Sequence, residues 1–213
     1  MSFFIQLVEA TDESRRSLEE LPKVKRMLER GLNRTEYRAF LFDLYHVVWH
    51  FCPAMANAAS RLTDAYRNVR FHLYESIEEE KGHEEWVLND VRAIGADPAE
   101  AIRQPPSAPV QALIAFNYAY PERSHPCGIL GMLYALEVIS SVYGGRVAAA
   151  IARALDMAGQ DGFTFLRSHA SMDVDHMAKL NRLVKEIKDA DAQAAIVNAT
   201  QVNFYLFGKM VEQ

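Results

Sequence analysis

The sequence predicts an all-α protein, a single helical bundle of about seven to eight helices over residues 1–213. Three observations carry this expectation. Apolar residues recur at helical spacing along nearly the whole chain, while alternating strand patterns are close to absent. Helix-start residues precede the periodic runs, and Gly or Pro follows them. No composition break, internal repeat or low-complexity stretch divides the chain.

The elements follow in order. Thr11-Asp12 before "ESRRSLEEL", Asn33 before "RTEYRAFLFDLYHVVWHF", Ser107 before "APVQALIAF" and Ser124 before "HPCGILGMLY" each offer a side-chain oxygen to free backbone N–H groups. Gly31 ends one segment, Gly95 closes "EEWVLNDVRAIG", and "RQPPSAP" reads as a loop. Pro53 is expected to kink or end the long helix that contains it. Gly144-Gly145 is expected to weaken or bend a helix running from about Cys127 to Met157. The segment "AAIVNATQVNFYLFGKMVEQ" is apolar on one side and closes the bundle; its alternative role is a homodimer surface.

Composition removes several function classes. A net charge of −5 leaves no broad basic surface, so no nucleic-acid partner is expected. Two cysteines in a chain of 213 residues suit a reducing compartment, and the start "MSFFIQLVEATDESRR" lacks the apolar core of a secretory signal. No run of about 18 apolar residues stands out, so no membrane span is expected and the location is read as cytoplasmic.

Three segments carry chemistry. Glu137 is a lone carboxylate in the apolar stretch "GMLYALEVISSVYGG", where an unpaired charge would be costly to bury. Glu80 and His83, three apart, form the Glu-x-x-His unit from which helical bundles build carboxylate-bridged metal sites. Their Glu-rich surroundings would equally suit a solvated face. His169, Asp173 and His176 are spaced i, i+4, i+7, within about 60° of one another around a helix. Together these offer three histidines and three carboxylates, enough for two metal ions, and a set without thiolate fits non-haem iron or manganese better than structural zinc. The aromatic helix with Tyr45, His46, Trp49, His50 and Phe51 is a candidate cavity wall, with Tyr45 a candidate for proton or electron transfer; plain core packing is the ordinary alternative.

The helix "GMLYALEVISSVYGGRVAAAI" resembles the distal helix of bacterial haem oxygenases, and "EATDESRRSLEELPKVKRMLERGLNRTEYRAFLFDLY" resembles their N-terminal region. The resemblance spans roughly Phe4 to Leu206 and implies the haem-oxygenase-like helical fold. Those enzymes take their proximal histidine from the N-terminal segment. Here "ATDESRRSLE" has none, and Arg15 or a neighbour stands in its place, so no haem is expected. The motifs "EEKGH" (Glu79 to His83), Glu137 and "HASMDVDH" (His169 to His176) instead resemble the haem-oxygenase-like diiron oxidases and oxygenases. That resemblance implies two ferrous ions, with manganese as the alternative metal, held by Glu80, His83, Glu137, His169, Asp173 and His176, with Glu79 left open in place of Glu80. It implies O2 activation on a small, largely apolar or amphipathic substrate, an electron donor and a homodimer. A divergent haem oxygenase and a non-catalytic helical binding protein are the alternatives.

Overall fold

Asn33 accepts a hydrogen bond from the Glu36 backbone N–H while the Glu36 carboxylate accepts from that of Asn33, both at 2.9 Å. This reciprocal capping box starts the longest helix where the sequence places it. The computed structural model describes residues 1–157, 159 and 161–213, and the side chains of residues 170, 171, 173 and 174 lie outside that description. The helices are α1 (Phe3–Glu20), α2 (Pro22–Arg30), α3 (Arg34–Ala59), α4 (Arg67–Glu80), α5 (Glu84–Ala93), α6 (Pro98–Arg103), α7 (Ala108–Arg123), α8 (Ile129–Ile139), α9 (Gly145–Ala154), α10 (Thr164–Val184) and α11 (Ala190–Val211). Single 3-10 turns precede α4 and α8, and a π-helical turn, Ser140–Gly144, joins α8 to α9. The described residues contain no strand, as the all-α expectation requires.

The segments outnumber the expected seven to eight because punctuation cuts finer than periodicity shows. Pro22 has no N–H and starts α2 directly after α1. Gly82, at φ +88°, separates α4 from α5. Thr11-Asp12 does not start a helix. α1 begins at Phe3, because Phe3 and Leu7 are buried in the core, and the Thr11 hydroxyl donates instead to the Leu7 carbonyl at 2.7 Å. Pro53 lies within α3, which continues past it to Ala59. At Gly144-Gly145 the expected disturbance takes the form of the π turn.

One apolar cluster extends from Phe3 to Val211, and α8 runs through it with every residue from Ile129 to Ala135 buried. Pro126–Ala154 is, against the sequence expectation, long and apolar enough to cross a membrane, with an 18-residue window of mean hydropathy 1.4, but 67% of that window is buried inside the bundle. α8 packs closely on α11. A Cβ on Gly131 would stand 2.5 Å from the Ile196 carbonyl oxygen and 2.7 Å from the Thr200 backbone nitrogen. Gly131→Ala must therefore push two helix backbones apart. We expect it to lower the urea midpoint by the equivalent of about 1–3 kcal/mol at unchanged m-value.

Candidate metal centre

Glu80 ends α4 and His83 precedes α5, so the Glu-x-x-His pair is not carried by a continuous helix. Gly82 breaks the helix between them, yet the turn keeps both side chains together: His83 Nδ1 lies 2.8 Å from Glu80 Oε2. His169 of α10 approaches the same oxygen at 3.3 Å through Nε2, which is also 3.2 Å from His83 Nδ1. Across the carboxylate, His176 Nδ1 stands 3.6 Å from Glu80 Oε1 and 3.2 Å from Glu137 Oε1. Among the described residues the site thus holds two donor groups, Glu80–His83–His169 and Glu80–Glu137–His176, each with its ligand atoms within 4.8 Å of one another. Glu80 belongs to both. The side chain of Asp173 lies outside the described residues.

The structure also separates Glu79 from Glu80. Glu80 is buried, whereas the Glu79 side chain is 39% exposed and pairs with Lys179. Burial pushes the Glu80 carboxyl up, but hydrogen bonds from His169 and His83 outweigh it and hold its pKa at about 2. Glu80 is therefore an anion throughout the neutral range, ready to ligate. The donor chemistry fits divalent cations. The Phe165 carbonyl accepts from His169 Nδ1 at 3.3 Å, so Nε2 is the nitrogen directed at the site. His169 Nε2, His83 Nδ1 and Glu80 Oε2 lie within 3.3 Å of one another, and a cation between them would take the place of the protons the two imidazoles share with the carboxylate. Neither cysteine belongs to a donor group, and burial raises their thiols to about 11 at Cys52 and about 12 at Cys127.

Three residues that spacing did not single out hold the histidines. Asp90 of α5 is fully buried and reaches across to α10, accepting from the backbone N–H of Thr164 at 2.7 Å and of Phe165 at 3.0 Å. It caps the helix that bears His169 and His176 from outside that helix's own sequence. Burial raises the Asp90 carboxyl while these N–H groups oppose the rise. Rings enclose the imidazoles: Trp86 stacks on His83 at 3.9 Å and Phe165 on His169 at 4.1 Å. Only long-range contacts reveal Asp90; an apolar or aromatic residue three or four positions from each histidine was the available signal for Trp86 and Phe165.

A cavity of about 110 Å³ opens beside the site, with Glu80, Glu137 and His169 in its wall. The rest of the wall is almost entirely apolar, and the π turn contributes Ser140, Tyr143 and Gly144. From α3 it takes Phe40, Leu44, Val47, Val48 and Phe51, one helical face. Tyr45 falls off that face. It is buried against the His46 ring, 5.2 Å away, and does not line the cavity. His46 Nε2 meets the Gln104 carbonyl at 2.8 Å, His50 Nδ1 meets the Tyr118 hydroxyl at 3.1 Å, and Trp49 is 47% exposed. The phenol in the cavity wall is Tyr143, whose hydroxyl donates to Glu19 at 2.5 Å.

The family model that matches residues 38–204 is that of the iron-containing redox enzymes. The chain belongs to this family, and its fold is haem-oxygenase-like. A domain of unknown function with a heme oxygenase-like fold from Shewanella denitrificans OS217 superimposes with a TM-score of 0.89 at 21% identity, covering 98% of this chain and 90% of that one. A TenA homologue from Pseudomonas syringae pv. tomato gives 0.82 at 16%, with 99% and 91% covered. Heme oxygenase-1 from Synechocystis sp. PCC 6803, solved with heme, gives 0.76 at 16%, with 100% and 91% covered. At these identities the likeness establishes the fold. No curated protein matches the chain.

Two measurements check this geometry. Asp90→Ala strands two buried N–H groups and should cost about 1–3 kcal/mol in chemical denaturation. Ferrous or cobaltous ions added anaerobically should quench Trp86 fluorescence, and Trp49→Phe should retain that quenching where Trp86→Phe abolishes it.

Proposed function

We propose that the protein is a non-haem diiron oxidase or oxygenase acting on a small, largely apolar or amphipathic molecule. The observation that carries this reading is the sharing of Glu80 between two donor groups. A carboxylate with one oxygen toward His83 and His169 and the other toward His176 serves both groups at once. Glu80, His83 and His169 would hold one iron ion and Glu80, Glu137 and His176 a second, and the pair would supply reductive activation of O2 with electrons from a separate donor. Glu80 and Glu137 would offset part of the ions' charge, and the three neutral imidazoles would complete the donor set. The apolar wall excludes water and positions a carbon skeleton beside the donors. Haem fits poorly here. The cavity is well below the roughly 300–1,000 Å³ of pockets for drug-sized ligands. Arg15 is turned to Asp12 at 2.8 Å and to Glu19 at 2.9 Å, and α1 contains no histidine.

Anaerobic ferrous titration followed by exposure to O2 tests the proposal. We expect close to two irons per chain and a transient visible absorption band on mixing with O2, with iron stoichiometry falling in Glu137→Ala and His176→Ala. Tight haem binding with a Soret band, and no ferrous uptake, would sink it.

A further inference from the structure

We propose that Glu79 is a positioning residue for the donor group containing Glu137, acting through His176; this rests on the two-metal reading above. His176 turns Nδ1 toward Glu137 and Glu80, and its other ring nitrogen, Nε2, lies 3.6 Å from Glu79 Oε2. Glu79 belongs to neither donor group. Its second oxygen, Oε1, is paired with Lys179, one helical turn beyond His176 on α10. One carboxylate on α4 is thus bracketed by two side chains from the same face of α10.

With a cation at Nδ1 the ring proton would sit on Nε2, and an anion 3.6 Å from that nitrogen favours this orientation of the ring. The two donor groups differ in this respect. The remote nitrogen of His169 meets a neutral carbonyl, that of Phe165, whereas that of His176 meets an anion held in place by a cation. Glu79 therefore strengthens ligation in the Glu80–Glu137–His176 group and leaves the Glu80–His83–His169 group alone.

Ferrous titration of the full-length wild type, Glu79→Gln, Glu79→Ala and Lys179→Met tests this, with cobalt as a spectroscopic probe and metal-free melting temperature as control. In Glu79→Ala one of the two ions should lose about 10–100-fold in affinity, and its cobalt visible bands should shift. The other ion and the metal-free melting temperature should stay unchanged. Glu79→Gln, which keeps an acceptor, should recover part of the loss, and Lys179→Met should lose less than Glu79→Ala. Wild-type affinity and cobalt spectrum for both ions in Glu79→Ala would overturn the assignment. Equal weakening of both ions would overturn it as well. Wild-type protein that takes up fewer than two ions would instead bring down the two-metal reading, and this inference with it.

Discussion

Anions placed inside an apolar bundle need positive partners, and this constraint organises the centre of the protein. Glu80 and Glu137 stand among leucines, valines and phenylalanines that would repel an isolated carboxylate. Three imidazoles meet them from α10 and from the turn before α5. Four stretches of chain thereby converge on one point: the end of α4, the turn after it, α8 and α10. At this point polar chemistry as well as apolar packing dictates which residues meet.

α10 brings two of the three histidines and does not hold itself in place. Its first turn is pinned by Asp90 from α5, and the Tyr37 hydroxyl of α3 donates to the Gly162 carbonyl just ahead of it at 2.5 Å. The Tyr37 ring also stacks on Phe163 at 5.5 Å. A helix fixed at its start rotates little along its length. Groups at the start of α10 thus help to set the directions of His169 and His176.

Local signals proved legible in the sequence to the extent that their causes are local. The Asn33–Glu36 capping box and the stop at Gly31 depend on neighbours within a turn, and both stand where the chain announces them. Glu137 was visible because a carboxylate in apolar surroundings needs a reason, and the histidines because their spacing from carboxylates fits metal ligands. Glu80 and His83 do lie side by side, though not on the helix expected: Gly82 breaks it, and a turn can bring residues three apart together as a helix does. Of the five α3 residues expected at the cavity, Phe51 lines it and Tyr45, His46, Trp49 and His50 do not, since an aromatic-rich helix offers two plausible faces and only its packing chooses one. Asp90 was invisible for a related reason. Its partners are 74 and 75 residues away, and nothing in its own neighbourhood marks it as a cap.

The π turn after Glu137 has a consequence for register. In an α-helix, steps of four residues overshoot a full rotation by about 40°, so a wall built from such steps spirals away from its target. The wider turn at Ser140–Gly144 undershoots, and this lets Leu136, Ser140 and Gly144 share one wall with Glu137. The extra residue works as an angular offset rather than added length. Its removal would leave the Glu137 half of the helix in place and swing the α9 half by about 100°, dividing ligand from cavity without touching either.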